Sequence, residues 1–491
     1  MIRVYLDWGV ISNLKKPESN ELKDFIEKHK EYLQFPYSPA HFTDLMKSNF
    51  PGNELFNDDI ETLEYLSKRH LIQWDGKRTQ PYLATPAEYL QRITEQGPVD
   101  YEALMDIKKL TDQMDELGSE TGVGNIGALF KSVFQTQPLG FEINETNKEY
   151  LSSMFPTISS SSTMWDFINE MGPMAKNILQ NKEYYKNLRT NVNKVFKLED
   201  NSGNWDVSEV IKNIDDYLKQ YGVGMSFHEY ISNPYKDRKE PVTRFEYFTS
   251  AYFTLDMIGY KSDRLPKKTD TGQNISTDAE HAFYGAHCDY FITSDKKLGT
   301  KAKVLYSTFN IPTVVLRPEE FISTIEKIVH VFPKNETIHF ANEAVNHIDF
   351  SKVIEKTAVE EGNEVVALGY KLSLFYFNFF NYVAFQYYKE ENVIILEFKK
   401  VFKNYSDFIY YTESERVISV ITNFFGYEGE DLEERRNNFI YGENHEEFVW
   451  SFKNVRVVLN KDMETYRPTL IYAIKLENDL FKHSPQEQEA L

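Results

Sequence analysis

The sequence predicts an α/β fold in which a parallel sheet is sandwiched by helices, with a large helical insertion and a C-terminal α+β domain. Three observations predict it. Val4-Tyr5-Leu6 is a short apolar run ending on Asp7, and Tyr290-Phe291-Ile292-Thr293 is a second, ending through Ser294 on Asp295. Strand-like and helical patterns alternate over residues 1–78 and again over 269–330, the order that yields parallel strands joined by crossover helices. Between those stretches, 79–268 is dominated by helical periods, and beyond them 331–491 turns strand-rich. The expected organisation is therefore one α/β domain in two parts, a helical insertion between them and a separate C-terminal domain.

Taken in order, Ile2 to Leu6 forms a strand and Asp7 follows it. Ser19 to Tyr32 carries Leu22, Phe25 and Ile26 at helical spacing. Leu33 to Tyr37 reads as a second strand, and Ser38-Pro39 opens a helix with a cap residue followed by proline at the first helical position. That helix carries Phe42, Leu45 and Met46 on one face, with Asp44 nearby. Asp58 to His70 is a further amphipathic helix, and Leu71 to Trp74 a strand or its tail. The insertion reads as helices over Pro86–Thr94, Tyr101–Leu117, Met164–Leu198, Val207–Tyr221 and Phe245–Ile258. From Asp278, which opens an apolar helix running to Cys288, the α/β pattern resumes: strand 290–293, helix 296–309, strand Thr313–Leu316 and a helix from Glu319. In the C-terminal domain Val393–Phe398, Val417–Thr422, Val455–Leu459 and Leu470–Lys475 read as strands, with a charged connector at Glu428–Arg436.

Composition narrows the function classes. With 75 acidic against 55 basic residues, a net charge of -20 argues against a broad basic surface tracking a nucleic-acid backbone. It leaves room for a nucleic-acid enzyme, because a cluster of metal-ligating carboxylates is itself acidic and its charge is offset by cations. The single cysteine, Cys288, rules out an internal disulfide and a cysteine-based zinc site. The N-terminus enters a strand without the pattern of a signal peptide, and the most apolar run, Leu372 to Tyr388, is broken by Ser373, Asn378, Asn381 and Gln386. A cytoplasmic protein without membrane association is the expectation.

Aspartates at the ends of parallel strands stand where open α/β sheets place their ligands. Short carboxylates on rigid strand ends and helix starts suit hard divalent cations, which orient water, lower its pKa and neutralise charge on phosphate oxygens. Asp7, Asp44, Asp278 and Asp295 offer such a set, and Asp289, at the start of its strand, reads as a backbone-binding or solvent-facing residue. Glu280 and His281 have a lesser claim on the site; His281 reads mainly as helix surface and Cys288 as core. Lys296 and Lys297 read equally as phosphate contacts or as a solvated helix start.

These pieces resemble a PIN-domain (PIN-like) metal-dependent nuclease. The resemblance rests on Val4-Tyr5-Leu6-Asp7 with Ser12, Ser38-Pro39-Ala40-His41-Phe42-Thr43-Asp44-Leu45, Asp278-Ala279-Glu280-His281 and Asp289-Tyr290-Phe291-Ile292-Thr293-Ser294-Asp295, and covers less than a third of the chain. It implies a parallel sheet flanked by helices, with Mg²⁺ or Mn²⁺ bound by Asp7, Asp44, Asp278 and Asp295. Thr293 matches the family's supporting hydroxyl and joins them as a catalytic residue. The implied activity is hydrolysis of RNA phosphodiester bonds, probing RNA as substrate, and the extra domains suggest a regulated stress or phage-defence effector with a regulatory protein partner. Two rival readings stand beside it: a catalytically weak PIN-like scaffold that binds a protein or nucleic acid, and a metal-dependent DNA nuclease. Gly122-Val123-Gly124-Asn125-Ile126-Gly127 matches a dinucleotide fingerprint by letter, but a charged helical run precedes it where the fingerprint requires a strand.

Overall fold

The computed structural model describes residues 1–48, 54–96, 109, 111–116, 126–140, 142–144, 148–196, 205–220, 224–236, 238–261, 272–329, 348–356, 365–388, 390–401, 411–442, 446–462 and 467–476. Within them the chain is a mixed α/β protein with a parallel four-stranded sheet, a two-stranded hairpin and a seven-stranded antiparallel sheet. Among the described residues no helix is long and apolar enough to cross a membrane.

The parallel sheet is built from β1 (Ile2–Leu6), β2 (Leu33–Gln34), β5 (Tyr290–Ile292) and β6 (Val314–Leu316), in the order β2-β1-β5-β6. Val4, Tyr5 and Leu6 pair with Tyr290, Phe291 and Ile292, and Tyr290 to Ile292 pair in turn with Val314 to Leu316. Side chains alternate across this sheet with period two. Ile2, Val4, Leu6, Tyr290 and Ile292 enter one core, with α1 (Trp8–Asn13), α2 (Asn20–His29), α4 (Glu54–Ser67) and α15 (Pro318–Ile325). Tyr5 and Phe291 enter a second core on the opposite face.

That second core is where the insertion belongs. Its helices α10 (Val210–Gln220), α11 (Phe227–Ser232) and α12 (Arg244–Met257) bury Val210, Ile214, Phe227, Phe248, Tyr252 and Leu255 against α13 (Gly272–Gly285) and α14 (Lys296–Thr308). The latter half of the insertion is thus one whole face of the α/β layer. A buried ionic knot fastens it: Asp256 of α12 accepts from Lys301 of α14 at 2.5 Å and from the Tyr185 hydroxyl at 2.8 Å, with Arg189 at 3.8 Å. Tyr185 and Arg189 lie on α9 (Lys182–Phe196), so three helices distant in sequence converge on one carboxylate. Among the described residues the insertion also contains α5 (Pro86–Gln96), α6 (Ile126–Thr136), α7 (Lys148–Met154) and α8 (Met164–Gln180).

The C-terminal sheet, ordered β11-β12-β13-β10-β9-β8-β7, comprises β7 (Ile348–Lys356), β8 (Val365–Tyr376), β9 (Phe380–Tyr388), β10 (Val393–Lys399), β11 (Glu447–Phe452), β12 (Val455–Lys461) and β13 (Pro468–Lys475). Helices α16 (Tyr411–Phe425) and α17 (Leu432–Tyr441) pack on it through Val417, Ile418, Ile421 and Phe439. Charged groups buried at the α/β layer join the two sheets. Arg3 of β1 forms an ion pair with Glu413 of α16, both fully buried, and Lys400 donates to Asp289 at 2.8 Å. Asp289 also accepts from the Arg3 amide at 2.8 Å, so its backbone-binding role is as expected.

Several expectations need correction. Val417–Thr422 is helical: its β-branched run suggests a strand, but Val417, Ile418 and Ile421 fall on one helical face and tertiary packing overrides propensity. The helix bearing Asp278 begins at Gly272, so Asp278 lies in its interior and neither opens nor caps it. Strand β3 (His70–Trp74) pairs with β4 (Thr79–Leu83) in a hairpin turning at Asp75 and Gly76 (φ +97°), missed because Pro81 masks the strand pattern. Met164–Leu198 is two helices broken at Asn181, and part of Glu428–Arg436 is the start of α17. Gly122 to Asn125, most of Tyr101–Leu117, Leu198 and Tyr221 lie outside the described residues.

Candidate functional site

The strand order supplies a site before any side chain is considered. From β1 the chain passes to β2 on one side, and from β5 to β6 on the other, so the connections diverge between β1 and β5. Ligands of open α/β sheets bind in the crevice at such a switch point, beyond the carboxyl ends of the strands. Asp7 follows β1 and Thr293 follows β5, one on each lip of that crevice.

The two are joined directly. The Thr293 hydroxyl donates to Asp7 Oδ2, and Thr293 Oγ1 accepts from the Asp295 amide at 3.0 Å. Asp7 Oδ1 accepts from the Val10 amide at 2.7 Å, so Asp7 also caps α1. Asp295 caps α14, its Oδ1 accepting from the Lys297 and Leu298 amides at 2.7 and 3.0 Å. Gly299, one turn further, brings α14 close to the threonine: a Cβ there would sit 3.3 Å from the Thr293 methyl.

The electrostatics differ among the four aspartates. Burial pushes the Asp7 carboxyl up, and Asp295 adds to that, against the lowering effect of the bonds from Thr293 and Val10. Asp278 is driven well above the usual carboxylate range by burial; Lys301 opposes this, while Asp295 and Asp44 reinforce it. Asp44 behaves oppositely. Its burial is outweighed by His281 and Lys47, which donate to it at 3.1 Å each and hold its carboxyl low. The structure therefore joins Asp7, Thr293 and Asp295 by hydrogen bonds, places Asp278 within their field, and commits Asp44 to partners of its own.

His281 corrects the sequence reading: it is a buried residue, 1% exposed, and not helix surface. It belongs to a chain of bonds running behind the site. The Tyr5 hydroxyl lies 2.6 Å from Ser38 Oγ and 2.9 Å from His281 Nδ1, and His281 Nε2 reaches Asp44. The Ser38 amide donates to His41 Nδ1 at 3.0 Å, and His41 Nε2 lies 2.9 Å from the Leu6 carbonyl. With Nδ1 accepting and Nε2 donating, His41 is neutral, and burial pushes it down to about 3. Ser38 thus turns its hydroxyl inward to Tyr5, where the sequence suggested a helix cap. Tyr5, Ser38, His41 and His281 are apolar-run and helix-start residues by pattern, and only the alternation placing Tyr5 opposite Val4 hinted at their convergence. Glu280, in the field of His281, Lys47 and Asp44, is raised to about 7, burial being the main cause.

Among the described residues, no group of three or more His, Cys, Asp or Glu side chains is drawn closely enough together to hold a metal ion as it stands. The donor set nonetheless has the chemistry of a hard-cation site. The carboxyls of Asp7 and Asp278, raised by burial and by neighbouring carboxylates, carry an electrostatic cost that a divalent ion would relieve. The chain matches no protein-family model, no curated protein and no solved structure.

The hydroxyl of Thr293 makes a sharp test of this arrangement. Valine is nearly isosteric and leaves Asp7 Oδ2 without its donor. We expect Thr293→Val to lower any metal-dependent activity by roughly 10- to 100-fold, the usual effect of removing a partner of a metal ligand. Unchanged metal dependence in that variant would separate Thr293 from the site.

Proposed function

We propose that this chain is a PIN-like, metal-dependent ribonuclease that hydrolyses RNA phosphodiester bonds at the β1/β5 switch point. The observation that carries the reading is the Asp7–Thr293–Asp295 junction, which bridges the two central strands at the carboxyl end of the sheet. Asp7 and Asp295, with Asp278 beside them, would hold Mg²⁺ or Mn²⁺, and Asp44 would complete the set from α3 (Pro39–Ser48) through a change of partner from Lys47. The ion, when bound, supplies an activated water and neutralises charge on the phosphate. Thr293 keeps Asp7 oriented, and the buried Tyr5–His281 chain fixes Asp44 from behind. Cleavage of single-stranded RNA with Mn²⁺ or Mg²⁺ by wild type but not by Asp7→Asn is the expected result; equal cleavage by both would overturn the site.

Metal binding at these carboxyls displaces protons, because Asp7 and Asp278 hold theirs more tightly than free aspartate. Affinity for Mn²⁺ should therefore fall as pH falls, and adding Mn²⁺ to weakly buffered protein should acidify the solution. A pH-indicator titration showing no proton release, or release undiminished in Asp278→Asn, would contradict this.

A second reading, a catalytically weak PIN-like scaffold, is favoured by the Asp44 pairing with His281 and Lys47, which occupies that carboxylate. The same cleavage assay separates it: RNA binding without cleavage by wild type supports the scaffold. Activity on DNA alone would support the DNA-nuclease alternative. The stress or phage-defence role and the regulatory partner remain part of the proposal, motivated by the mass beyond the α/β layer, as does a cytoplasmic location, motivated by the single cysteine.

A further inference from the structure

Where the α/β layer meets the C-terminal domain, a recess opens between β2, the ends of α2 and α4, and α16. Gln34, Phe35 and His70 are among its buried lining. Three cations reach it from three separate segments: Lys30 after α2, Lys68 after α4 and Arg416 of α16. None of the described residues lining it is acidic. In a chain of net charge -20, three cations converging with no carboxylate among them stand out from the rest of the surface. The space is about 20 Å³, enough for one small group, and Lys30 and Lys68 are exposed at its rim.

The Gln34 amide sharpens the chemistry. Its side chain is 1% exposed, its Oε1 lies 3.5 Å from the Thr412 hydroxyl, and its Nε2 is buried without a hydrogen-bond partner. A buried donor left unpaired carries its full desolvation cost, which an acceptor entering the recess removes. His70 offers no such acceptor, because its ring nitrogens are taken up by the Ser67 carbonyl at 2.7 Å and by the Thr412 hydroxyl.

The cations keep most of their charge for a ligand. Arg416 Nη1 donates to the Lys30 and Leu33 carbonyls at 3.4 and 3.1 Å, which fixes the guanidinium without neutralising it. Lys30 pairs with Glu27, but both side chains are about half exposed and water screens the bond. Burial, then Arg416 and Lys30, hold the Lys68 ammonium below the ordinary lysine range, and Glu31 opposes them. Glu31, Glu413 and Glu415 lie in the field of Arg416, yet none of them lines the recess, and Glu413 is already paired with Arg3.

We propose that this recess binds a phosphate group, held by Lys30, Lys68, Arg416 and the Gln34 amide at the seam between the α/β layer and α16. A doubly charged oxyanion matches three cations better than a carboxylate or chloride does, and its several oxygens accept from several donors at once. The bound group joins segments of both domains and stabilises the state in which they are docked. The site is separate from the proposed nuclease centre. Leu33 and Gln34 pair with Ile2 and Arg3, at the amino end of β1, whereas Asp7 follows its carboxyl end.

Isothermal titration of the full chain with inorganic phosphate and, separately, with AMP tests the site, in EDTA and at an ionic strength held constant with sodium chloride. Wild type should bind one phosphate group per chain saturably in the millimolar range or tighter. Lys68→Gly should bind about tenfold more weakly, having lost one charged donor. Its fold should hold, because Lys68 stands at φ +56°, where the end of a helix favours glycine. Should it nevertheless fail to fold, Lys30→Gln carries the same expectation and decides in its place. Asp7→Asn should bind as wild type does, which separates this site from the nuclease reading. AMP binding more tightly than phosphate assigns the recess to phosphate monoesters, and the reverse assigns it to the free ion. No saturable binding of either, or binding unchanged in the deciding lysine variant, overturns the proposal.

Discussion

Glu413→Ala should destabilise the protein by roughly 3–5 kcal/mol, the largest effect expected of any single substitution here. Arg3 and Glu413 are both fully buried, and the pair spans 410 residues of sequence between β1 and α16. Removing the carboxylate takes away the buried ion-pair partner of the Arg3 guanidinium in a dry interior, beside Lys400. The Glu413 carboxyl is held low despite burial, because Arg3 outweighs the desolvation it suffers. The sign for pH follows. A carboxyl lowered in the folded state contributes stability that is present above its unfolded pKa and lost as pH falls through the folded one. The wild type should therefore lose this contribution in acid, and Glu413→Ala should show a flatter acid limb in denaturant titrations. The pair itself need not be net stabilising: Arg3→Met with Glu413→Leu should recover most of the loss, as buried ion pairs replaced by apolar groups often do. A Glu413→Ala variant as stable as wild type would mean the two sheets are not fastened here.

Asp7→Asn should separate activity from stability. If Asp7 holds the ion, losing its charge costs several kcal/mol of transition-state stabilisation, about 10²-fold or more in rate. Stability should fall by no more than about 1 kcal/mol, and could rise, because the folded state already penalises this carboxylate. The folded pKa of Asp7 lies above the unfolded one, so above both values the ionised Asp7 opposes folding. Asparagine keeps the geometry. Its carbonyl can accept from Val10, and its amide can donate to Thr293. Loss of activity together with loss of fold would show a structural cap and no more.

Much of the α/β layer was legible because its physics is local. Strands β1, β5 and β6 are short apolar runs between turn residues, and α12 and α14 carry regular helical patterns. The junction of Asp7, Thr293 and Asp295 was legible in kind, since each follows a strand or begins a helix. What the sequence concealed is long-range. Nothing local in Thr43-Asp44-Leu45 tells that His281 and Lys47 will take the carboxylate, or that Tyr5 and Ser38 will meet 33 residues apart. The Arg3–Glu413 pair and the Lys400–Asp289 bridge are likewise contacts between segments whose patterns are ordinary. The helix at Val417–Ile421 was hidden by β-branched residues whose strand preference is weaker than the burial of one helical face. The half of the insertion that packs on Tyr5 and Phe291 read as a separate body because its apolar residues recur at helical spacing without showing what they cover.

The most direct measurement is Mn²⁺ binding followed by the EPR signal of the free ion, on wild type and on Asp7→Asn, Asp278→Asn and Asp295→Asn. A metal site at the β1/β5 switch point predicts saturable binding of one or two Mn²⁺ per chain in wild type, weakened in each variant, most of all in Asp7→Asn. Non-saturable binding in wild type, or binding unchanged by all three substitutions, would contradict it.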